Sequence, residues 1–184
     1  GTKLDTTKWS YSREQFRDKG YPNYWNNSMS FLDGKGNLVS RAQVSSNTFS
    51  NIAYLSGAIN TKDKFTHTYG YYEARVKLHT VSGMWGAFWM LCGDMTDSNA
   101  ANDNSNANGV EIDIFESIFK GRNNEQFLNC GIHWDGFKNT KSNGKHISYP
   151  AVFDGEFHKF GLLWTEKEYI YYFDDVEVRR ITPN

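Results

Sequence analysis

Proline and cysteine are scarce in this chain, 3 and 2 of 184 residues. Two cysteines cannot staple a loop-rich mini-fold, and none is needed, because a chain of this length buries enough surface to hold one core by itself. A charge excess of either sign is missing too. Lys and Arg number 20 against 21 Asp and Glu, the net charge is −1 and no basic run stands out. That excludes the electrostatic footprint of a nucleic-acid or anionic-membrane partner. No apolar stretch approaches the roughly 20 residues that cross a bilayer, and Gly1-Thr2-Lys3-Leu4-Asp5 is not a secretory signal.

What the chain does have is aromatic surface, 16% Phe, Trp and Tyr. Aromatic side chains favour half-buried pleated positions and stack on flat ligands, so strands and a ligand groove are the two places to look for them. Tyr71, Glu73, Arg75, Lys77 and His79 alternate with Tyr72, Ala74, Val76 and Leu78, the period of a strand with one wet face and one core face. Comparable runs cover 37–44, 52–59, 84–92, 126–134, 157–165 and 168–173, separated by turn pairs such as Asp33-Gly34, Ser82-Gly83, Asp135-Gly136 and Asp174-Asp175. Many short strands with polar turns predict an all-β sandwich of two antiparallel sheets. The segment 94–108, DMTDSNAANDNSNAN, reads as a solvated loop; its acids lack the spacing of a calcium-binding loop, so no metal is expected.

One strand breaks the pattern. In NGVEIDIFESIF, 108–119, Glu111, Asp113 and Glu116 crowd an otherwise apolar run. Glu111 and Asp113 share a face, but residues five apart in a regular strand point oppositely, so Glu116 belongs to the other one. The consecutive apolar pair Ile114-Phe115 resolves this: one extra residue there, a β-bulge, returns Glu116 to the face of Glu111. Backbone positions about 13 Å apart then carry two side chains that can lean toward the roughly 5–5.5 Å carboxyl separation of a retaining glycosidase. Close carboxyls titrate together, so one keeps a proton while another stays ionised, the pairing that cleavage of a glycosidic bond requires. By itself the acidic pattern also fits an ordinary polar strand face.

Its neighbours point to sugar. In GMWGAFWML, 83–91, Trp85, Ala87 and Trp89 share one face, and NCGIHW places His133 and Trp134 on a strand further along. These motifs, with LDTTKW, YGYYEARVKL, VEIDIFE and FHKFGLLWTEKEYIYYFDDVEV in the same order, resemble glycoside hydrolase family 16, in particular its bulged branch of laminarinases, agarases, carrageenases and endo-β-galactosidases. The resemblance implies a β-jelly-roll sandwich with a concave substrate cleft. By motif position it implies Glu111 as nucleophile, Glu116 as acid/base and Asp113 as the group assisting the nucleophile. Trp85, Trp89, His133, Trp134, Trp25 and Asn26 are the expected substrate contacts. It implies an endo-acting, retaining hydrolase of a polysaccharide that needs no cofactor, with β-1,3-glucan the first candidate. Secretion follows from the size of such a substrate.

Departures from the family pattern keep other sugars open. Asn26-Asn27-Ser28 stands where laminarinases carry an Asn-Asn-Glu cluster, Tyr71 where they carry an Arg, and Gly86 where Pro commonly follows the first Trp. An endo-β-galactosidase acting on a galactan or host glycan is therefore an alternative, as is a transglycosylase, which differs in the acceptor admitted. A non-catalytic carbohydrate-binding module could use the Trp wall but would have no need of both Glu111 and Glu116. The chain is expected to be a single catalytic domain over 1–184 that is incomplete at both ends, its missing strands supplied by further sequence or a second chain. Strands carrying Cys92 and Cys130 on either side of the acidic strand would lie about 9.6 Å apart. That exceeds the roughly 7 Å Cα limit of a disulfide, so two thiols are expected.

Overall fold

The structure, a computed structural model, describes residues 2–12, 14–16, 22–46, 51–81, 83–96, 108–120, 125–137, 140–148 and 150–182. Most of the Asn/Asp-rich segment, 97–107, and Ser82 of the predicted Ser82-Gly83 turn lie outside them. The described residues are nearly all strand and turn, with short 3₁₀ turns and no α-helix, as the sequence predicts. They fall into two units, Gly1–Thr68 and Tyr69–Asn184.

The first unit is built of β1 (Ser10–Tyr11), β2 (Gln15–Phe16), β3 (Asn23–Trp25), β4 (Ser30–Leu32), β5 (Leu38–Ser40), β6 (Ala42–Val44), β7 (Tyr54–Ser56) and β8 (Ile59–Asn60). A four-stranded sheet runs in the order β2-β3-β7-β6, with β3 and β7 parallel. β4 and β5 form a hairpin whose turn is tied by Asp33: its Oδ1 accepts the N–H groups of Lys35 (2.7 Å) and Asn37 (3.0 Å). The stretches 37–44 and 52–59, expected as continuous strands, are each broken once. Arg41 donates its N–H to Met29 O at 2.8 Å and accepts that of Gly57 at 2.9 Å, bending both segments at a shared corner. A Cβ on Gly57 would lie 2.4 Å from Met29 O, so only glycine fits that crossing.

The second unit contains β9 (Gly70–Lys77), β10 (Trp85–Leu91), β11 (Val110–Lys120), β12 (Glu125–Trp134), β13 (Lys141–Ser148), β14 (Phe157–Trp164), β15 (Tyr169–Phe173) and β16 (Val176–Ile181). They pair antiparallel in two sheets, β10-β11-β12-β13 and β16-β15-β14-β9. β9 alternates as predicted, Tyr71, Glu73, Arg75 and Lys77 outward and the residues between them turned in. Asp174 and Asp175, at φ 46° and 66°, make the two-residue turn joining β15 to β16, where the primed turn types match strand twist. β13, KSNGKHIS, is almost wholly exposed and carries no apolar alternation, which is why sequence periodicity passes over it.

The core lies between these two sheets. Ile112, Ile114, Phe115, Leu128, Cys130 and Ile132 from one meet Phe160, Leu162, Tyr171, Phe173 and Ile181 from the other. Phe115 and Phe160 meet across it, their rings tilted with centroids 4.3 Å apart. Two polar ties close the same gap: Tyr171 donates its hydroxyl proton to Gly131 O at 3.0 Å, and Arg179 reaches Cys130 O and, at 2.9 Å, Asn143 O. No disulfide joins the cysteines: Cys92 follows β10, Cys130 lies on β12, and β11 runs between them. Burial pushes the Cys130 thiol up to about 11.

Candidate active site

The bulge predicted from Ile114-Phe115 is present. Along β11, Asp113 pairs with Gly131 of β12 and Glu116 with Asn129, so Ile114 and Phe115 together oppose the single residue Cys130. The pairing with β10 slips at the same point, from Phe88↔Phe115 to Trp89↔Asp113. Both extra-register side chains go inward, Ile114 at 0% and Phe115 at 2% exposure. Their burial supplies the free energy that holds the irregular backbone in place. Glu111 and Glu116 are left half-buried on the opposite face, and both line one cavity of about 450 Å³ with Trp85, Asn129, His133 and Phe137.

Cross-strand register places the partners. Glu116 Oε1 accepts the indole N–H of Trp85 at 3.0 Å, and Oε2 accepts the side-chain amide of Asn129 at 2.7 Å. Glu111 pairs across β12 with His133. Asp113, 2% exposed, lies below with Oδ2 3.2 Å from His133 Nε2. That contact, with further attraction from Glu111 and Glu116, raises the imidazole pKa above its ordinary value although burial pulls the other way.

Two supports lie behind these side chains. Ser117, buried on the core side next to Glu116, receives the N–H of Gly86 at 3.1 Å and stands 3.0 Å from Gly86 O and 2.9 Å from His79 Nε2. His79 Nδ1 faces Val81 O at 3.2 Å; a carbonyl only accepts, so that nitrogen carries the proton. Burial holds the His79 pKa below its ordinary value. Gly86, where a proline was the family expectation, is thus explained: its N–H is used, and a Cβ there would already approach Ser117 Oγ to 3.1 Å. At the other end, Asp135 and Gly136 turn the chain at φ 73° and 75°. Asp135 is fully buried, accepting Asn108 Nδ2 at 2.7 Å and meeting Lys141 Nζ at 3.0 Å. Phe137, half exposed, is pinned by its own N–H to Met95 O at 3.1 Å and presents its ring to the cavity.

Of the residues expected to touch sugar, Trp85 and His133 line the cavity. Trp89 is 42% exposed on the face of Trp85, two pleats along the strand and outside the cavity lining. Trp134 differs from expectation: adjacent to His133 on a regular strand, it faces the opposite way and packs on the core cluster. Trp25 and Asn26 lie in the first unit, Trp25 on β3 and Asn26 capping a 3₁₀ turn by accepting the N–H of Ser28 at 3.0 Å. Asn129, Phe137, Thr140 and His146 line the cavity without having been singled out. Asn129 could have been found by register, since the bulge sets it opposite Glu116. Among the described residues no cluster of three or more His, Cys, Asp or Glu side chains is arranged to hold a metal ion.

Comparison with known proteins places this arrangement. Residues 21–184 match the model of glycosyl hydrolases family 16. The chain is 35% identical over 128 residues to endo-1,3-1,4-beta-glycanase EglC of Rhizobium meliloti, covering 69% of this chain and 24% of that protein. It is 30% identical over 200 residues to glucan endo-1,3-beta-glucosidase A1 of Niallia circulans, covering 99% of this chain and 28% of that one. The chain thus spans about a quarter of the length of these curated relatives. Among solved structures, the GH16 protein of a Bacteroides ovatus mixed linkage glucan PUL in complex with a G4G4G3G product superposes with a TM-score of 0.77 at 22% identity, over 97% of this chain and 75% of that one. At that identity the likeness speaks for the fold, an all-β jelly roll.

Proposed function

The chain belongs to glycosyl hydrolases family 16, and from that membership together with the carboxylates of β11 we propose that it cleaves internal β-linkages of a β-glucan by retaining double displacement. The observation that carries the reading is the bulge, which puts Glu111 and Glu116 on one face and in one cavity. A strand kept only for its fold gains nothing from that alignment and suffers the repulsion of three carboxylates.

The roles follow from what each group can do. Glu116, in its protonated form, gives a proton to the glycosidic oxygen as the bond from that oxygen to the anomeric carbon breaks. Glu111, ionised, attacks that carbon from the other side and forms an ester with the sugar. Water then enters, Glu116 takes its proton, and the hydroxyl displaces Glu111 with net retention of configuration. Asp113 and His133, 3.2 Å apart, stand beside the two acids. Trp85 offers an indole face, 53% exposed, against which a pyranose ring stacks. No cofactor enters this scheme.

The β-glucan substrate is supported by the activities named for the two relatives, both endo-acting on 1,3- or mixed 1,3-1,4-β-linkages. Action on an extracellular polymer goes with a secreted enzyme. The test is hydrolysis of a panel of β-1,3-, mixed-linkage and β-1,4-glucans, with galactans beside them, by the wild type, Glu111→Ala and Glu116→Gln. Reducing ends released from a β-1,3 or mixed-linkage glucan by the wild type alone support the reading. Equal activity in either variant, or cleavage of galactans only, contradicts it.

A further inference from the structure

Glu116 is engaged at both carboxyl oxygens by donors of different character. Asn129 comes from the neighbouring strand β12, half-buried and locked in register opposite Glu116. Its amide orientation is dictated by chemistry, because an ionised carboxylate only accepts and the nitrogen must face it, at 2.7 Å from Oε2. On its far side Asn129 pairs with His146 of β13, and Gly144, which pairs with Gly131, is the diagonal neighbour there. Gly144 has no side chain, and a Cβ at that residue would lie 3.4 Å from Asn129 Oδ1. Trp85, by contrast, is the first residue of β10, which lies at the edge of its described sheet, and is more than half exposed.

We infer that Asn129 is the positioning residue of the acid/base: it holds Oε2 of Glu116 as a permanent acceptor and thereby assigns proton transfer to Oε1, the oxygen that Trp85 caps until substrate displaces it. The inference rests on the hydrolase reading above. In both charge states of Glu116 an amide N–H remains on Oε2. The proton therefore resides on Oε1, passes from it to the departing sugar oxygen, and returns to it from water in the second step. When the glycosidic oxygen arrives at Oε1, it takes the place that the Trp85 N–H holds there.

The test is the pH dependence of kcat and kcat/KM on the cleaved β-glucan for the wild type, Asn129→Ala and Asn129→Asp. The basic limb of kcat/KM reports the acid that must be protonated in the free enzyme. Removing a donor to the ionised carboxyl moves that limb upward, by about one pH unit for Asn129→Ala, one unit being the effect of about one charge-assisted hydrogen bond. Asn129→Asp, which keeps the shape and sets a second carboxylate against the first, moves it further. With the carboxyl no longer aimed, kcat falls by about tenfold or more while KM stays within roughly twofold. A retained kcat and an unmoved limb with a raised KM would make Asn129 a sugar contact and overturn the inference. Should Asn129→Ala fail to fold, the isosteric Asn129→Asp decides alone. A wild type inactive on every glucan overturns the hydrolase reading and this assignment together, whereas an active wild type with an inactive Glu116→Gln and unmoved limbs overturns the assignment only.

Discussion

Truncating Phe115 separates the bulge from its alternative. If β11 ran regularly through 114–115, one of these side chains would face the cavity; with the bulge, both face the core. Phe115 is 2% exposed and meets Phe160 ring to ring at 4.3 Å. A buried Phe removes on the order of 150–200 Å² from water, about 4–5 kcal/mol at 25 cal/mol per Å², and the ring pair adds about 1 kcal/mol. Alanine keeps the methyl and the neighbours relax in part, so the expected cost of Phe115→Ala is about 3–5 kcal/mol. For urea unfolding with an m-value of about 2 kcal/mol per molar, the midpoint falls by roughly 2 M with the slope unchanged. Phe137→Ala is the contrast: half exposed at the cavity, it is expected to leave the midpoint within about 0.3 M and to raise KM instead. A Phe115→Ala midpoint within about 0.3 M of wild type, with KM raised, would place the ring in the cavity and refute the bulge as described.

Asp113→Asn keeps the shape of the side chain and removes its charge. His133, whose pKa is held up first by its contact with Asp113, should then titrate below its wild-type position, since the largest upward cause is gone while burial still pulls it down against Glu111 and Glu116. The imidazole proton resonances followed by NMR from pH 4 to 9 measure this, and an unchanged titration would contradict the pairing. On the other sheet, His158 lies between Asp174 Oδ2 at 2.7 Å and Asp154 Oδ1 at 3.1 Å, and these contacts, Asp174 first, raise its pKa above 6.5. Its contribution to stability is full below the unfolded value of 6.5 and is lost as pH rises through the higher folded one. Asp154 is held below 3.8 by the Glu156 N–H and by His158. For Asp174, burial is outweighed by hydrogen bonds from Lys159 N–H and His158, so the pair's share is lost only as pH falls below 3.8. The Tm difference between wild type and His158→Ala should therefore be largest between about pH 4 and 6.5 and shrink above it. A difference independent of pH would count against this cluster.

Much of the fold and site was legible from residues because the signals were local. The Ile114-Phe115 doublet revealed the bulge, since two adjacent side chains of a regular strand cannot both face the core. Asp174-Asp175 marked its hairpin, and the Tyr71–Lys77 alternation gave β9 its two faces. The remainder depended on partners distant in sequence. Asn129 sits unremarkably in FLNCGIHW and becomes part of the site only through its register with Glu116. β13 carries no apolar pattern because the described structure leaves it almost wholly exposed, so nothing in its composition distinguishes strand from loop. Trp134 was within reach of the same phase reasoning that located the bulge: next to His133, it could not share its face. The breaks at Arg41 and Gly57 come from hydrogen bonds to Met29 and to each other, which no window of neighbouring residues contains.

Double displacement by Glu111 and Glu116 stands or falls on the configuration of the first product. Proton NMR of the reducing-end anomeric signals, recorded in the first minutes of hydrolysis of a β-glucan, reads it before mutarotation mixes the anomers. Retention requires that the β-anomer appear first and the α-anomer grow in later. An initial α-anomer would mean a single inverting displacement and would remove Glu111 from the role of nucleophile.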